Sequence, residues 1–113
     1  MPTIFSKIIN KEIPATIVYE DDEILAFEDV APKAPIHILI IPKKEISTLN
    51  NITEEDAELI GRLVIVAKKI ACDKKIEKDG YRLVMNCNDF GGQTVYHIHL
   101  HLLGGRKLSW PPG

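Results

Sequence analysis

Three of the four histidines in this 113-residue chain, His97, His99 and His101, stand at alternate positions in "YHIHLHLL", residues 96–103. Ile98, Leu100 and Leu102 fill the places between them. Such alternation belongs to an extended strand, whose successive side chains point to opposite faces. The imidazoles then share a face that looks into a cleft, and the aliphatic residues share the face that enters a core. A merely solvated strand face would draw on Thr, Lys, Glu and Arg as well, which these positions do not. A metal site is a second reading, because His-x-His on a strand is a zinc-ligand spacing. Residues four apart on a strand are ~13 Å apart, however, and zinc holds nitrogen at ~2.1 Å. One ion could take two neighbours but hardly all three, and no nearby Cys, Asp or Glu in the sequence completes an obvious tetrahedral set. No metal is expected.

The third reading is nucleophilic and acid–base chemistry on a phosphate. A neutral imidazole is a competent nucleophile, and an ordinary pKa near ~6.5 would let a neighbour stay protonated as an acid. Phosphoryl transfer needs hydrogen-bond donors around the phosphoryl oxygens, which imidazoles and backbone amides both provide. Gly91-Gly92-Gln93-Thr94 leads straight into the histidines. Alone, Gly-Gly is an ordinary hairpin loop. Here its glycines let the backbone approach an anion closely, and its N–H groups can form a nest.

Those residues need elements to hold them. Thr3 can cap a short helix over Ile4–Asn10, with Ile4, Phe5, Ile8 and Ile9 on one face. Residues 16–20 and 24–28 read as a hairpin about Asp21-Asp22. Two prolines make residues 29–35 a loop. Ile36–Ile41 is a strand buried on both faces, ended by Pro42. Thr53 followed by Glu54, Glu55 and Asp56 starts a long helix, in which Ile60, Leu63, Val64, Ala67 and Ala71 form the apolar stripe to about Cys72. Residues 73–79 are a solvated connection, 81–86 a strand, 89–93 a Gly-Gly loop and 94–103 the histidine strand. Strands of antiparallel type with one long and one short helix indicate an α+β fold.

The length allows one domain, residues 1–113, with 104–113 as a tail. Lys and Arg total 14 against 16 Asp and Glu, so no basic field attracts nucleic acid. No apolar run reaches bilayer length, and the first residues lack the pattern of a signal peptide. Cys72 and Cys87 form no CxxC motif and read as reduced thiols. The expected setting is cytoplasmic, with no membrane partner.

His97-Ile98-His99-Leu100-His101-Leu102-Leu103 matches the His-φ-His-φ-His-φ-φ motif of the histidine triad (HIT) superfamily. "AFEDVAPKAPIHILIIPKK", "GGQTVYHIHLHLLGG" and "WPPG" closely resemble its Hint branch, whose members are purine nucleoside phosphoramidases, and the likeness spans essentially the whole chain. The resemblance implies a five-stranded antiparallel sheet continued across a homodimer, and a purine nucleotide as substrate, with no cofactor. It makes His99 the nucleophile on the α-phosphorus of a nucleoside 5′-phosphoramidate. His101 contacts the phosphate and leaving group, His97 orients His99, and His37 adds an imidazole from a neighbouring strand. Thr94 stands where relatives often have Ser, to hydrogen-bond the departing amine. Asp29 corresponds to the ribose-binding carboxylate and Asn86 to a contact on ribose or phosphate. Gly92, Gln93 and Leu100 complete the substrate contacts, and Ile4, Phe5, Ile8, Phe27, Val30 and Leu39 resemble the apolar base pocket. Glu45 stands where many relatives carry His, outside the triad. Trp110, the only tryptophan, is placed at the dimer seam near the partner's cleft. Two alternatives remain open: hydrolysis of dinucleoside polyphosphates, and a nucleotide-binding regulatory dimer.

Overall fold

The computed structural model describes residues 2–113. Thr3 opens the first helix, α1 (Ile4–Ile9), through a reciprocal cap. Its hydroxyl accepts from the N–H groups of Phe5 and Ser6, and the Ser6 hydroxyl accepts from the N–H of Thr3. The expected hairpin follows as β1 (Ile17–Glu20) and β2 (Ile24–Glu28). One oxygen of Asp21 closes its turn by accepting from the N–H groups of Glu23 and Ile24, each at 2.8 Å.

β3 (Ile36–Pro42) leads through two short 3₁₀ turns to α2 (Ala57–Asp73). The acids that announce this helix, Glu54 to Asp56, lie in the second 3₁₀ turn. The buried Asp56 there accepts from the N–H of Thr53 at 3.0 Å and from the Lys44 ammonium at 2.6 Å. β4 (Tyr81–Val84), a single helical turn α3 (Asn88–Gly91) and β5 (Leu100–Gly104) complete the chain. The five strands form one antiparallel sheet in the order β1-β2-β3-β5-β4. The α+β expectation therefore holds.

Alternation along the strands divides the interior. Ile24, Ala26, Ile38, Ile40, Leu100 and Leu102 meet α2 on one face of the sheet. Leu25, Phe27, Leu39 and Ile41 meet Phe5 and Ile8 of α1 on the other. The stripe of α2 sits slightly away from its expected place: Leu63, Val66, Ala67, Ile70 and Ala71 are buried, while Val64, at the edge of the stripe, is exposed. The connection at 73–79 is not wholly solvated either. Ile76 folds back onto β5, where Gly104 makes room for it: a Cβ at Gly104 would lie 2.6 Å from Ile76 Cδ1.

Two expectations near the histidines need correction. The expected Gly-Gly loop contains the helical turn α3, closed by Gly92 at a positive φ of 86° that suits glycine. The expected histidine strand at 94–103 begins only at Leu100, leaving His97 and His99 outside the ladder. In the β3–β5 register Ile40 faces Leu100, and two residues further on β3 is Pro42, which has no N–H to extend the pairing. The N–H of Ile98 turns instead to the carbonyl of Ile46 at 2.8 Å.

Candidate active site

The histidine segment keeps its alternation even where it leaves the ladder. His97 and His99 are buried on the α1 side, and Ile98, Leu100 and Leu102 are buried as well. His99 Nδ1 lies 2.8 Å from the His97 carbonyl. A carbonyl only accepts, so Nδ1 carries the proton and Nε2 keeps its lone pair. His97 thus orients His99 through its backbone. Its own ring is fixed by Nε2–H donating to the Pro42 carbonyl at 2.7 Å. The Phe5 ring from α1 meets the His99 ring in a T-shaped contact, with centroids 5.0 Å apart and planes at 88°.

A second line of hydrogen bonds sets the tautomer of His101. The backbone N–H of Lys33 donates to His37 Nδ1 at 3.0 Å, so the neutral His37 carries its proton on Nε2. That nitrogen lies 3.0 Å from His101 Nδ1 and donates to it. The remaining proton of His101 therefore sits on Nε2, which is buried and has no protein partner. The rings of His99 and His101 are 4.9 Å apart between centroids. A free lone pair and an unused donor thus stand side by side.

All four imidazoles hold protons less tightly than an ordinary histidine. Burial is the largest cause at each, partly opposed at His97 by the Pro42 carbonyl and the charge of Glu45. At His101 burial, with the positive neighbours that His99 and His37 would become, pushes the pKa down to about 4. The expectation of a neighbour kept protonated at neutral pH therefore fails, and the donor is a neutral N–H. Since the folded-state values lie below 6.5, the lone pair of His99 persists as pH falls past 6.5. We expect kcat/KM, measured from pH 4 to 9, to show an acid limb with its midpoint below 6.5; a midpoint at or above 6.5 would contradict this account. Stability has the same sign. Between the ordinary value and about 4 the unfolded chain binds the extra proton at position 101, so stability drops as the solution is acidified through that window.

Asp29, at the end of β2, is brought beside this pair, with Oδ2 3.4 Å from His37 Nε2. With His37 held neutral, that approach is a polar contact and not an ion pair. Its Oδ1 is taken by the N–H of Ala31 at 2.8 Å. Asp29, His37 and His101 offer donor atoms within 4.8 Å of one another, a grouping the sequence did not reveal. A metal at His37 Nε2 would need a lone pair there, which forces the proton onto Nδ1 against the N–H of Lys33. The hydrogen-bonded arrangement and metal ligation are therefore exclusive at His37.

His99 and His101 line one cleft of about 290 Å³ together with Asp29, Val30 and Thr94. Its apolar wall contains Ile4, Phe5, Ile8, Phe27 and Leu39 from the sequence reading, and also Ile13, Pro14, Ala15 and Val95, which that reading missed. Ile13, Pro14 and Ala15 stand outside any periodic element, so hydrophobic spacing did not mark them, while Val95 falls within the expected strand, in step with the histidines. The other residues singled out lie off the cleft. His97 packs below the site and His37 behind it. Leu100 turns its side chain into the core beneath α2. Asn86 stands beside Gly92, its Nδ2 4.0 Å from where a Cβ on that glycine would lie. Trp110 is exposed and lies near the Arg82 guanidinium, which also donates to the Ser109 carbonyl. The side chain of Gln93 is committed within the protein. Its carbonyl accepts from the N–H of Asn88 at 2.8 Å, and its amide donates to the carbonyls of Ser47 and Val95 at 2.7 and 3.1 Å.

Comparison with known proteins places this geometry. Residues 10–108 match the HIT domain. The chain is 59% identical over 111 residues to an uncharacterised HIT-like protein of Synechococcus elongatus, covering 98% of this chain and 96% of that one. It is 58% identical over 107 residues to the purine nucleoside phosphoramidase of Escherichia coli, covering 95% and 90%. Among solved structures, a HIT family hydrolase from Legionella pneumophila superposes with a TM-score of 0.97 at 56% identity, covering 99% of this chain and all of that one. A histidine triad nucleotide-binding protein from Candida albicans reaches 0.83 at 31% identity, covering 97% and 83%. With its triad, its sheet and these relatives in agreement, the chain belongs to the HIT domain family.

Proposed function

We propose that this HIT-family hydrolase cleaves the P–N bond of purine nucleoside 5′-phosphoramidates through a nucleotidyl intermediate on His99. The observation that carries the reading is the pairing of His99 with His101 in the cleft. His99 presents a lone pair on Nε2, and His101 presents an unpartnered N–H beside it. The lone pair attacks the α-phosphorus; the N–P bond to His99 forms as the bond to the amine breaks. His101 Nε2–H stabilises the phosphoryl oxygen and the leaving nitrogen by hydrogen bonding. The amine leaves with a proton drawn from solvent past the Thr94 hydroxyl. Water then attacks phosphorus, frees His99, returns a proton to solvent and yields the nucleoside monophosphate. Asp29 Oδ2 accepts from the ribose hydroxyls, Asn86 contacts ribose or phosphate, and the α1 wall with Val30 holds the base. Gly92 and Gln93 meet the phosphate through their backbone, as Leu100 does. The protein needs no metal for these steps.

Turnover of adenosine and guanosine 5′-phosphoramidates tests the reading, with diadenosine polyphosphates as the competing substrate. Phosphoramidate turnover that survives exhaustive chelation within a small factor is expected. A preference for the polyphosphates would replace the assignment, and nucleotide binding with no turnover on either would leave a regulatory role.

The same reading includes a homodimer in the cytoplasm. Two features support the dimer. The edge strand β1 is guarded by charge, because Glu20 bridges Lys11 and Lys43 at 2.8 Å each. The other edge, β4, carries Arg82 as its only charge, and α2 leaves Val64 and Ile65 about half exposed. Trp110 is 80% exposed on one chain, an aromatic area that a partner's cleft could cover. Deleting residues 109–113 should leave the His99 adduct intact and change selectivity among leaving amines, read as kcat/KM for several phosphoramidates. Sedimentation of both forms checks the dimer. A uniform loss across amines would assign the tail to stability alone, and no change would remove Trp110 from the site. Cytoplasmic location is consistent with two free cysteines and with the lack, among the described residues, of any helix long and apolar enough to cross a membrane.

A further inference from the structure

His97 and His99 lie outside the β-ladder, so something else must hold them. The end of β3 and the loop after it do so with their backbone. The Pro42 carbonyl accepts from His97 Nε2–H at 2.7 Å, the Ile46 carbonyl from the N–H of Ile98 at 2.8 Å, and the Ser47 carbonyl from the Gln93 amide at 2.7 Å. Three acceptors within six residues thus grip the segment that carries the nucleophile. In the middle of that loop Glu45 extends the other way, and its Oε1 accepts from the Ser6 hydroxyl at 3.2 Å. Ser6 is buried in α1 and its oxygen already accepts from the N–H of Thr3, so its proton is free for Glu45. Next to Ser6 is Phe5, whose ring makes T-shaped contacts with His99 and, at a centroid distance of 6.1 Å, with His97.

We propose that Glu45 and Ser6 form a latch that fixes α1 against the histidine segment, making Glu45 a positioning residue for the base wall. Glu45 touches no substrate in this scheme. It acts because α1 has only six residues, too few to hold its own place by helix formation alone, and the wall residues Ile4, Phe5 and Ile8 move with it. The charge of Glu45 also favours the protonated form of His97, which separates two ways the residue could act. The latch needs an acceptor at position 45, whereas the field needs a charge.

This inference rests on the phosphoramidase reading for its kinetic arm but not for its spectroscopic one. Four variants decide it: Glu45→Ala, Glu45→Gln, Ser6→Ala, and Ser6→Ala with Glu45→Ala. Removing the bond should raise KM for the phosphoramidate about 5- to 10-fold, the size of one partly exposed hydrogen bond, with kcat much less affected. Glu45→Gln keeps the acceptor and should stay close to wild type across the pH profile. The double variant should be no worse than the worse single one, because both remove the same bond. Independently of any substrate, the carbon-bound ring protons of His99 should shift in the NMR spectrum of Glu45→Ala, since the neighbouring Phe5 ring moves, and should be restored in Glu45→Gln. Wild-type shifts and KM in Glu45→Ala would overturn the latch, as would additive losses in the double variant. A Glu45→Gln variant as impaired as Glu45→Ala, with a displaced pH profile, would overturn it in favour of the charge acting on His97. Altered His99 shifts in a protein that turned over no phosphoramidate would keep the latch and remove the substrate assignment.

Discussion

Replacing His99 with glycine or alanine abolishes turnover, with an expected loss on the order of 10⁴-fold or more, because no other group offers a lone pair at that point. The neighbouring imidazoles cannot substitute. His97 has its Nε2–H tied to Pro42 and lies below the cleft, and the Nδ1 of His101 accepts from His37. The apolar wall and Asp29 do not depend on the missing ring, so a nucleoside monophosphate should still bind within a small factor of wild type by calorimetry. Quenched wild-type enzyme should carry a nucleotidyl mass on the peptide containing His99, and the variant should carry none. Near-wild-type turnover by His99→Ala would end the covalent mechanism. The change should scarcely alter folding, so Tm serves as the control.

Gln93→Leu has the opposite profile, a large loss of stability accompanied by loss of activity. Its side chain is 6% exposed and makes three hydrogen bonds that together hold α3, the loop after β3 and the entry to the histidines. Leucine is close in size, so the cost is not a cavity but three polar backbone groups left without their partner. We expect a loss of about 2–4 kcal/mol, since water can reach part of α3 and replace some of the bonds. In thermal unfolding that corresponds to a fall in Tm of about 10 °C or more for a domain of this size. Activity should fall by about 10²-fold even below the new Tm, because the displaced loop no longer presents the backbone around Gly92 to an anion. A Tm within 2 °C of wild type would show that solvent replaces the brace completely, and Gln93 would then belong to the substrate contacts instead.

Much of the site was legible because it obeys a short-range rule. Alternation alone put His99 and His101 on one face and Leu100 and Leu102 on the other, whereas His37 was marked only by the resemblance. The cap at Thr3 and the hairpin at Asp21 are also local, each closed by bonds within three residues. Errors arose where a local pattern met a distant partner. The histidine strand read as ten continuous residues, yet Pro42 on the facing strand ends its pairing at Leu100. The Gly-Gly loop gained a helical turn because Gln93 caps the N–H of Asn88. Val64 fits helical spacing but lies just beyond the reach of the sheet.

Protonation was the larger failure. A free imidazole titrates near neutrality, and that value suggested an acid poised beside a base. Burial lowers all four histidines and takes His101 to about 4, an effect of desolvation that no spacing encodes. The tautomers depend likewise on the Lys33 amide and the His97 carbonyl, which only the folded backbone brings to those nitrogens. The sequence by itself determined which residue types share a face, because side-chain direction follows from backbone period. The tertiary structure decided where the ladder stops, which nitrogen carries each proton and what braces His99. Those depend on hydrogen bonds and solvent exclusion between segments far apart in the chain.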